Sequence, residues 1–145
     1  EALLPLADVV IVNETELARY SGAAMAPVLI DEAVPLARRL ISRPGQTVVV
    51  TLGAAGALAV TGDGVLAAPG RRAHAVDTTG AGDCFCGVLA AMLDAGAPIA
   101  EAMEQANAAA ALSTQTMGAA VSMPTRAQAE AFILAAGHQP KDGAP

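Results

Sequence analysis

Asp77-Thr78-Thr79-Gly80-Ala81-Gly82-Asp83 is a run of small and polar residues that leads straight into Phe85, Val88, Leu89, Met92 and Leu93. These apolar side chains fall at i, i+3, i+4, i+7 and i+8, one face of a helix. Gly80 and Gly82 therefore stand where a loop becomes a helix. Bare backbone at that point lets several N–H groups face outward together, aided by the positive end of the helix dipole. The pattern predicts an anion site at a helix N-terminus. Asp83, in the first turn, reads on composition alone as an ordinary helix-start residue ahead of a chemical one.

Working outward, Pro98 opens a second helix that carries Ile99, Met103, Asn107 and Ala110 on one side and runs to about Thr116. Gly118 ends it, and Ala127 to Ala136 forms a last amphipathic helix. Upstream, Val9-Val10-Ile11-Val12 and Thr47 to Leu52 are short β-branched runs, the pattern of strands buried on both faces of a parallel sheet. Glu14 to Tyr20 reads as a short helix stopped at Ser21-Gly22. A further helix starts at Asp31 as N-cap and carries Val34, Ala37, Leu40 and Ile41 before Arg43-Pro44-Gly45. Ala57 to Thr61 and Val65 to Ala68, joined by Gly62-Asp63-Gly64, read as an edge hairpin, and residues 71 to 76 as one more strand. Strands alternating with helices imply an α/β, Rossmann-like layered fold with a mostly parallel sheet flanked by helices. The expected organisation is one domain over residues 1–136 and a frayed tail over 137–145.

Composition narrows the function. Of the 145 residues 36 are alanine, enough for one core of closely packed helices but not for two independent domains. A net charge of −6 offers nothing to a phosphodiester backbone, which argues against nucleic acid as a partner. Tyr20 and two phenylalanines are too few for a base-stacking surface. No apolar run is long enough to span a bilayer, and the opening residues Glu1 to Pro5 carry no basic leader, so a soluble, cytoplasmic protein is expected, without membrane partners. Cys84 and Cys86 diverge on a helix, which fits reduced thiols. His74 and His138 lack metal-ligand spacing. Arg71-Arg72 is most simply a solvated turn.

The order of three elements carries a more specific message. Asn13-Glu14-Thr15-Glu16 follows the first strand, Thr51-Leu52-Gly53-Ala54-Ala55-Gly56 follows the second, and Asp77 to Asp83 comes third, with Phe85 and Gly87 beyond it. In this order, over about Val9 to Pro124, the chain resembles the C-terminal half of the ribokinase (PfkB) family of sugar and nucleoside kinases. The resemblance implies the C-terminal portion of a ribokinase-like fold. The activity it implies is ATP-dependent phosphorylation of a sugar hydroxymethyl group, with D-ribose to D-ribose 5-phosphate as the first reading. Fructokinase, nucleoside kinase, ketodeoxygluconate kinase and an inactive nucleotide-binding module are the alternatives. The N-terminal half that supplies most sugar contacts, and a small lid, are absent from these residues. A fragment inactive by itself is therefore expected, with the homodimeric state of the parent left open.

The same resemblance implies roles for individual residues. Asp83 would be the general base on the sugar hydroxyl and thereby touch the substrate, while Gly80, Ala81 and Gly82 would form an anion hole with the N–H of Asp83. Asn13 and Glu16 would lie near the ATP phosphates, the acid helping to organise Mg²⁺; by themselves they read as a helix cap with a solvated Glu. Thr51, Gly53 and Gly56 would line the nucleotide cleft together with Gly82, the plainer reading of the first three being a tight turn between strands. Asn107 would face the adenine, with a satisfied core amide as the equal alternative. Asp77 would bind a monovalent cation, K⁺ by expectation, with Thr79, Ser113, Thr116, Gly118 and Ser122; otherwise it caps a turn.

Overall fold

The computed structural model describes residues 3–23 and 30–137; His138 and the rest of the expected tail lie outside the described residues. Contacts gather into two compact units, dividing between Gly70 and Arg71.

The first unit is built on a four-stranded sheet in the order β1(Val9–Asn13), β2(Thr47–Thr51), β3(Gly56–Val60), β4(Val65–Pro69). β1 and β2 pair in parallel, with Val9 opposite Thr47 and Asn13 opposite Thr51. The β2–β3 and β3–β4 pairings are antiparallel. The expectation of a mostly parallel sheet is thus corrected to a mixed one. Only a single 3-10 turn at Gly53–Ala55 separates β2 from β3, too little chain for the crossover that a parallel return requires.

Val48, Val49 and Val50 of β2 are fully buried, as a strand covered on both faces requires. β1 departs from that expectation. Val10 and Val12 are buried against the helix residues Leu17, Ala33 and Ala37, while Val9 and Ile11, on the opposite face, are half-buried.

Two helices, α1(Glu14–Ser21) and α2(Ile30–Leu40), pack Leu17, Ala33, Ala37 and Leu40 against Val10, Val12, Val48, Val50, Leu58 and Val60. α1 stops where Gly22 takes the left-handed conformation at φ 72°, as its position after Ser21 predicts. α2 begins at Ile30, so Asp31 lies inside the first turn and is not the cap.

The chain entering β1 is held by two side chains from the α2–β2 connection. Gln46 is fully buried; its Nε2 donates to the carbonyls of Leu4 and Ala7 at 2.6 and 2.9 Å, and its Oε1 accepts from the Ser42 N–H at 2.8 Å. Arg43 donates to the Pro5 carbonyl and pairs with Asp8 at 2.5 Å.

The second unit consists of α3(Ala81–Asp94), α4(Ile99–Ser113) and α5(Arg126–Gly137). α4 packs against both other helices. It does so through small side chains, with Ala102, Ala106, Ala108 and Ala109 all buried, so backbones approach closely. The strand expected at 71–76 is absent: the segment has no ladder, and the Val76 N–H goes instead to the carbonyl of Thr114. That carbonyl is free because α4 ends at Ser113, three residues short of the expected Thr116. α5 starts with Thr125 and Gln128 bonded to each other's side chains and backbone, a capping pair the hydrophobic pattern does not reveal.

Candidate active site

In the first unit, parallel register places Asn13 beside Thr51 at the carboxyl ends of β1 and β2. That is where open α/β sheets receive ligands. Asn13 is the N-cap of α1: its Oδ1 accepts from the Glu16 N–H at 2.9 Å, and Glu16 Oε2 accepts from the Asn13 N–H at 2.9 Å. The Asn-x-x-Glu element is therefore a closed capping box, the plainer of its two readings, and it leaves Glu16 Oε1 outside the box. Thr51 Oγ1 reaches the Val12 carbonyl at 3.5 Å, a weak contact.

Gly53 and Gly56 bound the turn between β2 and β3, at φ 52° and 103°. Gly56 has a steric reason to be glycine, because a Cβ there would stand 2.2 Å from the Ala68 carbonyl oxygen. Gly70, which sequence reading passes over, mirrors it: a Cβ would meet the Ala54 oxygen at 2.0 Å. The two glycines let the turn and the end of β4 cross. A cleft of about 300 Å³ beside β1 is lined by Leu3, Leu4, Val10, Ile11, Val12, Glu16 and Tyr20. Its walls are too apolar for a triphosphate.

In the second unit, Gly80 is the N-cap of α3, in the left-handed conformation at φ 82°, and no side chain caps the helix. The Ala81 N–H turns back to the Thr78 carbonyl at 3.2 Å, and the ladder begins with the Cys84 N–H donating to Gly80 at 2.8 Å. Between them the N–H groups of Gly82 and Asp83 meet no acceptor among the described residues. Of the expected anion-hole amides, that of Ala81 is committed to the turn and those of Gly82 and Asp83 stay available. Asp83 is exposed in the first turn of α3, its carboxylate on the same turn as these two donors. Gly82 has open space where a Cβ would stand. Gly80 does not: a Cβ would lie 2.9 Å from Ala119 Cβ.

Asp77 joins this turn to the segment after α4. Its Oδ1 accepts from the Thr79 N–H and its Oδ2 from the Gly118 N–H, each at 2.9 Å. The Gly118 bond first, then those of Thr79, hold the Asp77 carboxyl down at about 2. The N–H groups of Val76 and Asp77 both donate to the Thr114 carbonyl, at 2.7 and 3.0 Å. Thr114 is a neighbour of this turn that residue type does not announce, since it is its carbonyl that anchors Val76 and Asp77. Ser113 and Ser122 are buried, their hydroxyls donating to Ala110 and Ala119, and Thr116 is exposed. Asn107 is buried within α4.

Burial pushes the Cys84 thiol up, against a hydrogen bond with Ser113 that works the other way. Cys84 therefore sits inward as a small hydrophobe, beside Ala109 and Ala129. Arg71 pairs with Glu104. Among the described residues no cluster of three or more His, Cys, Asp or Glu side chains could hold a metal ion, and no helix is long and apolar enough to cross a membrane.

Comparison with known proteins gives these features their setting. The model of the pfkB family carbohydrate kinases matches residues 1–126. Among curated relatives, the ribokinase of Haemophilus influenzae is 34% identical over 133 residues, which are 92% of this chain and 43% of that protein. The aminoimidazole riboside kinase of Salmonella typhimurium is 39% identical over 93 residues, 61% of this chain and 29% of that protein. The chain thus spans less than half the length of these relatives. Among solved structures, ribokinase from Thermotoga maritima superposes with a TM-score of 0.80 at 33% identity, covering 91% of this chain and 44% of that one. Arabidopsis thaliana ribokinase complexed with ribose and ATP has a TM-score of 0.80 at 31% identity, covering 90% and 42%.

Proposed function

This chain belongs to the pfkB family of carbohydrate kinases, and from that footing we propose that it is the nucleotide-binding and catalytic part, residues 1–136, of an ATP-dependent ribokinase. The observation that carries the reading is the start of α3, where an exposed carboxylate, Asp83, shares one turn with two unpaired N–H groups. Phosphoryl transfer asks for little else from a protein than this pairing of a base with fixed donors. Asp83 accepts the proton of the sugar's primary hydroxyl as its oxygen attacks the γ-phosphorus. The bond to the ADP oxygen breaks, and the N–H groups of Gly82 and Asp83 hold the charge on the moving phosphoryl group.

The residues present suit both implied ions. Glu16 keeps one carboxylate oxygen outside its capping box, and one carboxylate with phosphate oxygens is a normal donor set for Mg²⁺, which when bound neutralises phosphate charge. Asp77, with carbonyls at Thr79, Ser113, Thr116, Gly118 and Ser122, is a set of hard oxygen donors suited to K⁺. Thr51, Gly53 and Gly56, with Asn13 and Asn107, are assigned to the nucleotide. A riboside in place of free ribose is the second reading, favoured by the likeness to an aminoimidazole riboside kinase.

The test is phosphorylation of ribose by the full-length protein, with Asp83→Asn as control. ATP-dependent ribose 5-phosphate formation that disappears in the variant is the expected result. Equal turnover by the variant would remove Asp83 from the mechanism. Purified residues 1–145 alone are expected to bind nucleotide with little or no transfer, because the resemblance assigns most sugar contacts to an N-terminal half that these residues do not include.

A further inference from the structure

We propose that Gly70 is a positioning residue for the nucleotide: its bare backbone lets the end of β4 lie directly against the Gly53–Ala55 turn and so fixes where the loop Thr51–Gly56 stands. The role rests on the assignment of that loop to ATP made above; the crossing of the two segments does not.

The turn and the strand end meet backbone to backbone. At Gly70 a Cβ would stand 2.0 Å from the Ala54 carbonyl oxygen, 2.8 Å from its carbon and 2.9 Å from the Gly56 nitrogen. At Gly56 one would stand 2.2 Å from the Ala68 oxygen and 2.4 Å from the Gly70 nitrogen. Each glycine thus opens onto the other segment's main chain. Hydrogen bonds close the same joint. The Gly70 N–H donates to the Ala55 carbonyl at 2.9 Å, the Leu52 N–H to the Gly56 carbonyl at 2.8 Å and the Ala55 N–H to the Leu52 carbonyl at 3.0 Å. Gly56 also opposes Pro69 in the β3–β4 register, so the joint lies where the ladder of the hairpin ends. Elsewhere the turn is open: Gly53, Ala54 and Ala55 are exposed, and nothing stands near the position of a Cβ on Gly53. A loop fixed on one side and open on another receives a ligand without first having to be ordered.

The two glycines are not equivalent probes of this joint. Gly56 has φ 103°, where any side chain is strained whatever the space, whereas Gly70 has no positive φ and is glycine for space alone. An alanine at Gly70 meets main chain, not a side chain that can turn away. The turn as a whole must then retreat by about 1 Å, a displacement large enough to spoil the positioning of a bound reactant.

The first test needs no substitution. In the wild-type full-length protein, ATP at about ten times its Kd should slow amide exchange at Gly70 about tenfold, together with Leu52 and Ala55. Gly64, at the other end of the hairpin, should stay unchanged. Slowing at the turn with none at Gly70 would overturn the proposal. Gly70→Ala, assayed below the onset of its melting transition, should raise the Kd for ATP about tenfold or more and leave kcat for ribose at saturating ATP within about twofold, the split expected when binding alone is lost. Gly64→Ala, with open space and no positive φ, should change neither; an equal rise in Kd there would take the effect away from the joint and overturn the proposal. A merely structural role would lower the melting temperature of Gly70→Ala while the folded variant binds ATP as the wild type does, which sinks the proposal and leaves the kinase reading standing. If the wild-type protein binds no ATP, the kinase reading fails and the positioning role fails with it.

Discussion

Two helices in this chain begin at elements that the resemblance places at the nucleotide phosphates, and they begin in opposite ways. At α1 the Asn13 and Glu16 side chains satisfy each other's backbone N–H groups, and the start is closed. At α3 a glycine in a left-handed conformation takes the cap position, no side chain caps, and the amides of Gly82 and Asp83 meet no acceptor among the described residues. A closed start stabilises its helix; an open one gives up that stabilisation, roughly 0.5–2 kcal/mol for a cap, and keeps donors ready for an anion. The difference teaches where to look for chemistry. An acidic residue near a helix start is a cap when its oxygens are answered from within, and a candidate base when they are not.

The largest effect expected from this contrast is on turnover. If the proposed function holds, Asp83→Asn in the full-length protein should lower kcat by about 10²–10⁴-fold, with a melting temperature close to wild type because the side chain is exposed. A steady-state assay beside a thermal melt checks both, and a large loss of stability would break the contrast by making Asp83 a structural residue after all. Next come the two glycines of the open start, which should separate. Gly80→Ala is expected to destabilise by about 1–3 kcal/mol, from its positive φ and the crowding against Ala119. Gly82→Ala, with free space and helical backbone, should stabilise by about 0.5–1 kcal/mol. Urea denaturation of the two variants reads the sign directly. At the closed start, Asn13→Ala should cost about 1 kcal/mol, and Ser or Asp at that position should restore it; a calorimetric melt that does not move would mean the box contributes nothing. The smallest effect concerns Cys84, one residue past the proposed base, Asp83. A thiol just inside a helix start is often activated, but this one is buried and shifted upward. It should stay protonated at neutral pH and alkylate more slowly than a small free thiol, becoming comparable only in denaturant. Mass spectrometry of iodoacetamide-treated protein distinguishes Cys84 from Cys86.

Much of this was legible from residue order alone. The β-branched runs at 9–12 and 47–51 form the parallel pair, and the Gly62-Asp63-Gly64 turn joins a true hairpin. The apolar stripe from Phe85 follows its helix, and Gly22 stops α1 where expected. Part of what sequence reading missed shares one physical cause: backbone atoms acting at a distance carry no residue-type signal. The Thr114 carbonyl draws Val76 and Asp77 away from strand geometry, so residues with strand-like composition form no ladder. Gly70 is needed only because Ala54 crosses it. Asp77 is visible as an acid six residues before Asp83, but its partner, the Gly118 N–H, lies 41 residues away and looks like a helix terminator. At Asn13 and Glu16 both readings stand side by side; their mutual bonds show the cap, and the phosphate role belongs to the proposed function.

Gln46 has a consequence for how the first unit comes apart. Its amide is used on both sides, donating to the Leu4 and Ala7 carbonyls and accepting from Ser42, entirely out of contact with water. The lead-in to β1 therefore cannot fray gradually, because releasing it would strand a dry amide inside the protein. Residues 4–13 and the strand beside them should open as one cooperative block, so a protease will find this stretch either intact or wholly unravelled, with few products trimmed partway.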